Sequence, residues 1–129
     1  MSKQVLIIDD DPVIRSLVQT ILELESFKVT AAEHGMQGAE ILEAGDKKFD
    51  LIIVDRQMPE MTGMDFLNRI KLKPETAEVP TIMLTGESKP EDIIEGYAVG
   101  ADYYITKPFT RQQLIFGLEL VLGNYKETP

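Results

Sequence analysis

The amino-acid sequence predicts a single α/β domain in which a parallel sheet carries helices on both faces. Two apolar runs, Val5-Leu6-Ile7-Ile8 and Leu51-Ile52-Ile53-Val54, are continuous rather than alternating, the pattern of strands buried on both sides. Helix-period segments separate them from further short runs, giving five strand–helix units at spacings of roughly 20 to 30 residues, and such alternation forces parallel strands joined by right-handed crossovers. Both runs end directly in carboxylates, Asp9-Asp10 and Asp55, which places these acids at the carboxyl edge of the sheet, where open α/β sheets bind ligands.

In chain order, the first strand runs into Asp11-Pro12, an N-cap followed by a first-turn proline. The helix after it carries Val13, Ile14, Leu17, Val18, Ile21 and Leu22 as a broad apolar stripe and is expected to end near Ser26. A short strand over 27–31 and a helix over 35–44, with Ala39, Ile41 and Leu42 inward, lead through Gly45-Asp46-Lys47-Lys48 to the strand that ends at Asp55. After Pro59 a loop enters a helix that Pro74 stops near residue 72. The run Pro80-Thr81-Ile82-Met83-Leu84 is the fourth strand and ends in Thr85-Gly86. Ser88 and Glu91 have the spacing of a capping box for a helix over 89–99, closed by Gly100. A fifth strand over 102–106 precedes Lys107-Pro108-Phe109, and Thr110 with Gln113 offers a second capping box for a last helix ending near residue 122. The domain is read as 1–124, with 125–129 a frayed tail or the start of a linker.

At 129 residues the chain has the length of one domain, and 43% hydrophobic with 27% charged residues is ordinary for a soluble globular protein. No apolar run approaches the ~18 residues of a membrane span, and the N-terminal run is too short for a signal peptide. With no cysteine there is no disulfide framework and no thiolate chemistry, so the expected location is cytoplasmic. A net charge of −9 argues against direct nucleic-acid binding and leaves room for a cation or a basic partner surface, and no membrane partner is expected.

Parallel topology gathers Asp9, Asp10, Asp55, Thr85 and Lys107 on one sheet edge. Clustered carboxylates repel one another and call for a compensating cation. Hard oxygen ligands with room for water suit Mg²⁺, while zinc is disfavoured by the absence of cysteine and a single histidine. A divalent ion, an ammonium at Lys107 and a hydroxyl at Thr85 are the parts needed to hold phosphoryl oxygens, and a carboxylate beside them suggests an aspartyl phosphate.

These residues resemble those of a response-regulator receiver domain, of the CheY-like superfamily used in two-component signalling. The resemblance covers about residues 3 to 124. It rests on the acids of Leu6-Ile7-Ile8-Asp9-Asp10-Asp11-Pro12, on Asp55-x-x-Met58-Pro59-x-Met61-x-Gly63, on Thr85-Gly86, and on Tyr104-x-x-Lys107-Pro108-Phe109-Thr110. It implies a flavodoxin-like (βα)5 sheet of order 2-1-3-4-5. It further implies that Asp55 accepts a phosphoryl group from a sensor histidine kinase or a histidine phosphotransfer protein. Asp10 and Asp55, the backbone carbonyl of Gln57 and, through water, Asp9 would bind Mg²⁺ or Mn²⁺. Lys107 would pair with Asp55 or its phosphate, behind a cis bond to Pro108. Thr85 would move to hydrogen-bond the phosphoryl group while Tyr104 turns inward, altering the surface made by the helix over 89–99, the fifth strand and the last helix. Such a domain signals rather than turning over a substrate, catalysing only its own phosphorylation and dephosphorylation.

Gln57 and Glu87 are expected to border the phosphoryl group on its solvent side and to tune its lifetime. On the last helix Leu114, Ile115, Leu118, Val121 and Leu122 share one arc, while Phe116 and Leu120 fall on the other side. With Tyr97 or Tyr103 these two form a candidate surface for a dimer or a downstream partner. Plainer roles compete at several positions: Asp11 as a cap, Thr85 as a turn residue, Tyr104 as ordinary strand composition, His34 as a solvated loop residue, and Met58, Met61 and Met64 as packing. A phosphohydrolase of the haloacid-dehalogenase type would want an aspartate at position 57, and a non-phosphorylated pseudo-receiver would not need the intact acidic set. The chain suits either a stand-alone regulator or the receiver portion of a longer one.

Overall fold

The computed structural model describes residues 2–86 and 89–123. Five parallel strands, β1 (Gln4–Ile8), β2 (Lys28–Ala32), β3 (Leu51–Asp55), β4 (Thr81–Thr85) and β5 (Tyr103–Thr106), form one sheet in the order β2-β1-β3-β4-β5. The helices are α1 (Pro12–Leu24), α2 (Gly35–Ala44), α3 (Gly63–Lys71), the single turn α4 (Pro74–Ala77), α5 (Pro90–Val99) and α6 (Arg111–Leu122). The surface foreseen around the fourth strand–helix unit is therefore α5–β5–α6 in this numbering.

Alternate residues of the central strands feed two separate cores. Leu6, Ile8, Ile52, Val54 and Met83 pack under α2, α3 and α5 with Leu42, Phe66, Leu67 and Ile70. Val5, Ile7, Ile53, Ile82 and Leu84 pack under α1 and α6 with Val18, Ile21, Leu22, Leu114 and Leu118. All five residues of β3 are buried, which accounts for a run with no polar alternation before Asp55.

Two of the predicted caps, on the first and last helices, form where they were expected. The Asp11 carboxylate accepts from the Val13 and Ile14 N–H groups, and Thr110 with Gln113 closes a capping box on α6. Met58 is buried, Met61 and Met64 pack against the core, and the exposed His34 also caps α2 through Nδ1.

Four expectations need correction. Val13 and Leu17 are exposed, at 72% and 45%, because the core takes only the arc of Ile14, Val18, Ile21 and Leu22, and the other side of the stripe faces outward. Helix α1 stops at Leu24 rather than Ser26, whose φ of 71° turns the chain toward β2. Pro74 does not merely end α3 but starts α4, where a first-turn proline is at home. The N-cap of α5 is Lys89, without a side-chain cap, so the box expected from Ser88 is not the helix start; Ser88 itself lies outside the described residues.

Candidate functional site

The carboxyl ends of β1, β3, β4 and β5 meet at one edge of the sheet, and each contributes a polar residue there. Carboxylate oxygens of Asp9, Asp10 and Asp55 lie within 4.8 Å of one another. Asp9 and Asp55 are buried, at 0% and 4% exposure, and Asp10 is exposed, so the cluster opens to solvent on one side. Lys107 reaches in from the loop after β5 and places Nζ 3.1 Å from Asp55 Oδ1 and 3.2 Å from Asp9 Oδ2. Its peptide bond to Pro108 is cis, and its N–H donates to the Thr85 carbonyl at 2.7 Å. Thr85, at the end of β4, is 1% exposed.

Burial is the main influence on Asp55 and, with the charge of Asp9, pushes its carboxyl up to about 6. Lys107 and the Gln57 N–H act in the other direction. For Lys107 burial works against the ammonium, but the Asp55 and Asp9 carboxylates outweigh it and hold the group above its ordinary range. Among the described residues, the Lys107 ammonium pairs with two of three clustered carboxylates, leaving negative charge that an oxygen-binding divalent cation would balance. The donor set, carboxylates with an open side for water, fits Mg²⁺.

Gln57 is exposed two residues past the end of β3, whereas Glu87 lies outside the described residues. Phe116 and Leu120 are exposed at 54% and 55%, Tyr97 is exposed, and Tyr103 is half-buried against α6. A groove of about 640 Å³ between β5 and α6 is lined by Tyr103, Ile105, Gln113 and Phe116 among others. Exposed Ile94, which carried no signal in the sequence, adds to the apolar surface of α5.

Sequence reasoning missed two arginines. Arg15 donates to the Asp9 carbonyl at 2.8 Å and so steadies the acidic loop. Arg56, immediately after Asp55, sends its side chain to α5 and β5, where Nη1 donates to the Tyr104 hydroxyl at 2.7 Å. A lone charge directly after a buried strand was the available signal. Tyr104 is 8% exposed, already turned inward, where the resemblance had it turning inward only on phosphorylation. The role of Gly63 also emerges here: a Cβ at that position would stand 2.5 Å from the Asp55 carbonyl oxygen and 2.8 Å from Arg56 Cα, so α3 packs directly on the backbone of the site.

A family model described as the response regulator receiver domain matches residues 5–119. The phosphate regulon transcriptional regulatory protein PhoB of Pseudomonas aeruginosa is 36% identical over 122 residues, covering 95% of this chain and 52% of that protein. The transcriptional regulatory protein SrrA of Staphylococcus aureus is 33% identical over 128 residues, 99% of this chain and 51% of its own length. The chain therefore spans about half the length of these curated relatives. Among solved structures, the chemotaxis protein CheY4 of Vibrio cholerae superposes with a TM-score of 0.87 at 35% identity, over 94% of this chain and 99% of that one. The receiver domain of the sensor histidine kinase PA1611 from Pseudomonas aeruginosa, with magnesium coordinated in its active-site cleft, gives 0.85 at 25% identity over 96% and 100%.

Proposed function

The chain belongs to the response regulator receiver domain family, a signalling family, and on that footing we propose that Asp55 is its phosphoacceptor, supplied by the phosphohistidine of a sensor kinase or a phosphotransfer protein. The observation that carries this reading is the position of the Asp55 carboxylate, buried at the end of β3 with Lys107 Nζ 3.1 Å away and the Asp9 and Asp10 oxygens beside it.

An Asp55 carboxylate oxygen attacks phosphorus as the donor's P–N bond breaks, and the departing imidazole nitrogen keeps the electron pair and takes up a proton. The product is an acyl phosphate on Asp55. Lys107 releases Asp55 and pairs with the new phosphoryl oxygens, while the Thr85 hydroxyl donates to another. Asp10, Asp55, the Gln57 carbonyl and, through water, Asp9 would hold Mg²⁺ or Mn²⁺, which would supply charge neutralisation for the transferring group. Hydrolysis of the acyl phosphate by water resets the domain, and Gln57 and Glu87 set its rate. The receiver domain is read as 1–124, and its place as the cytoplasm.

Phosphorylation shifts the population of two arrangements of α5–β5–α6, with the Thr85 hydroxyl as the responding group and the inward Tyr104 ring as the part of the switch that joins β5 to α5. Tyr97, Tyr103, Phe116 and Leu120 form the surface that a downstream protein or a second copy of the chain reads. Direct nucleic-acid or membrane binding is no part of this reading.

The test is the intact mass of the protein after incubation with Mg²⁺ and acetyl phosphate. A transient gain of one phosphoryl group that is lost in Asp55→Asn supports the assignment; an equal gain in the variant, or none in the wild type with any phosphodonor, overturns it. Following the same adduct over time examines the finer roles. Substitutions at Gln57 or Glu87 change its decay, whereas Phe116→Asp with Leu120→Asp leaves the decay alone and removes phosphorylation-dependent association seen by sedimentation.

A further inference from the structure

Arg56 is fastened at both ends of its residue. Its N–H donates to the Leu84 carbonyl of β4 at 2.7 Å, and its carbonyl accepts from the Gly63 N–H at 2.8 Å, so its main chain is part of the site edge that carries Asp55. Its side chain, 13% exposed, leaves that edge for α5. There Nη1 donates to the Tyr104 hydroxyl at 2.7 Å and to the Asp92 carbonyl at 3.1 Å, and Nη2 lies 2.8 Å from Glu95 Oε1 and 3.7 Å from Asp92 Oδ1. The Tyr104 hydroxyl in turn donates to the Asp92 carbonyl at 3.4 Å. One planar fork therefore binds the ring of β5 and the first two turns of α5 together, a geometry that a single ammonium cannot reproduce.

The space that Tyr104 fills is provided by α5. A Cβ on Gly96 would overlap the Tyr104 hydroxyl and ring, and the Tyr97 ring meets Tyr104 edge-on, with centroids 5.4 Å apart at 61°. Among the described residues, Arg56, Asp92, Gly96 and Tyr97 make the contacts that hold Tyr104 inward.

We propose that Arg56 is a positioning residue that latches Tyr104 inward against α5 and so sets the arrangement of the α5–β5–α6 surface in advance of phosphorylation. The latch couples the residue after the phosphoacceptor to the surface a partner reads, and it makes the inward arrangement of Tyr104 the resting one in this chain. Its signalling sense rests on the reading of Asp55 given above; its mechanical sense does not.

The experiment uses 3-fluorotyrosine-labelled protein, with the Tyr104 ¹⁹F resonance assigned through Tyr104→Phe, together with amide exchange of residues 90–99. Wild type, Arg56→Ala and Arg56→Lys are compared with Mg²⁺ alone and then with acetyl phosphate added. Without donor, both variants are expected to move the Tyr104 resonance to a solvent-exposed position and to speed exchange in α5 by about tenfold or more, the size expected for losing hydrogen bonds to a charged group. With donor, the wild-type resonance moves little, whereas in the variants it returns toward the buried position. A folded Arg56→Ala protein whose Tyr104 signal and α5 exchange match the wild type overturns the latch. So does an Arg56→Lys protein that keeps Tyr104 inward, or a wild-type resonance that starts at the exposed position. Adduct mass is read on the same samples: an absent adduct counts against the phosphoacceptor reading alone, since the donor-free comparison stands without it.

Discussion

Asp55 is held between opposing influences, and their balance can be measured. Burial and the Asp9 charge raise its carboxyl from an ordinary 3.8 to about 6, with Lys107 pulling the other way. A carboxyl raised in the folded state favours folding while protonated. Its contribution is fully present below about pH 4 and is lost as pH rises through about 6. In chelator the wild type should therefore lose stability across that window relative to Asp55→Asn, by an amount on the order of 3 kcal/mol for a shift of this size. Urea denaturation of both proteins at pH 4.5, 5.5 and 7 measures the difference. A gap independent of pH would mean that Asp55 ionises in the fold as readily as in the unfolded chain. The sign is opposite to that of the Glu43 carboxylate, which its hydrogen bonds from Arg69 hold below the usual range despite some desolvation, and which loses its contribution as pH falls. The comparison with Asp55→Asn removes that background.

Between the residues and the sheet stand the elements, and here the fit of α3 against β3 makes the sharpest demand. Gly63 opens α3, and its Cα side faces the Asp55 carbonyl and Arg56 Cα, which are main-chain atoms with no rotamer to give way. Gly63→Ala should cost roughly 1–3 kcal/mol, as overpacking does, and should also slow adduct formation because the displaced backbone carries Asp55. A urea midpoint and an adduct rate both equal to the wild type would show that α3 can back away. The same elements show what a sequence displays. Strands β1, β3 and β4, the Asp11-Pro12 start of α1 and the Thr110–Gln113 box of α6 are local patterns, each complete within a few neighbouring residues, and they were legible. Asp9, Asp10, Asp55, Thr85 and Lys107 converge because parallel strands share a carboxyl edge, so topology sufficed to group them. Val13 and Leu17 were misread because a helical stripe shows which residues are apolar but not how wide an arc the sheet will cover. The Arg56 contacts span 36 to 48 residues along the chain and depend on side-chain packing at Gly96, which no local pattern encodes.

For the whole molecule, charge and stability meet at the acidic edge. A chain with a net charge of −9 gains from any added cation through general screening, so stabilisation by Mg²⁺ alone would not reveal a site. Site binding differs in two ways. It follows mass action, contributing about 2.7 kcal/mol at a concentration one hundred times the dissociation constant, which for a domain of this size raises the midpoint of thermal unfolding by on the order of 10 °C. It also depends on the three clustered carboxylates, whose mutual repulsion the ion relieves, whereas screening acts on all the acids alike. Thermal melts in MgCl₂ and in NaCl of matched ionic strength separate the two effects, and Asp55→Asn and Asp10→Asn supply the controls. The expected outcome is a midpoint that rises with Mg²⁺ beyond the NaCl baseline in the wild type and rises less in Asp55→Asn and in Asp10→Asn, each of which removes one carboxylate of the cluster. Replacing Asp55 also removes the repulsion it feels from Asp9, so that variant starts from a higher midpoint. Equal rises in all three proteins would assign the effect to the charge of the molecule as a whole and leave the carboxylate cluster without a bound ion.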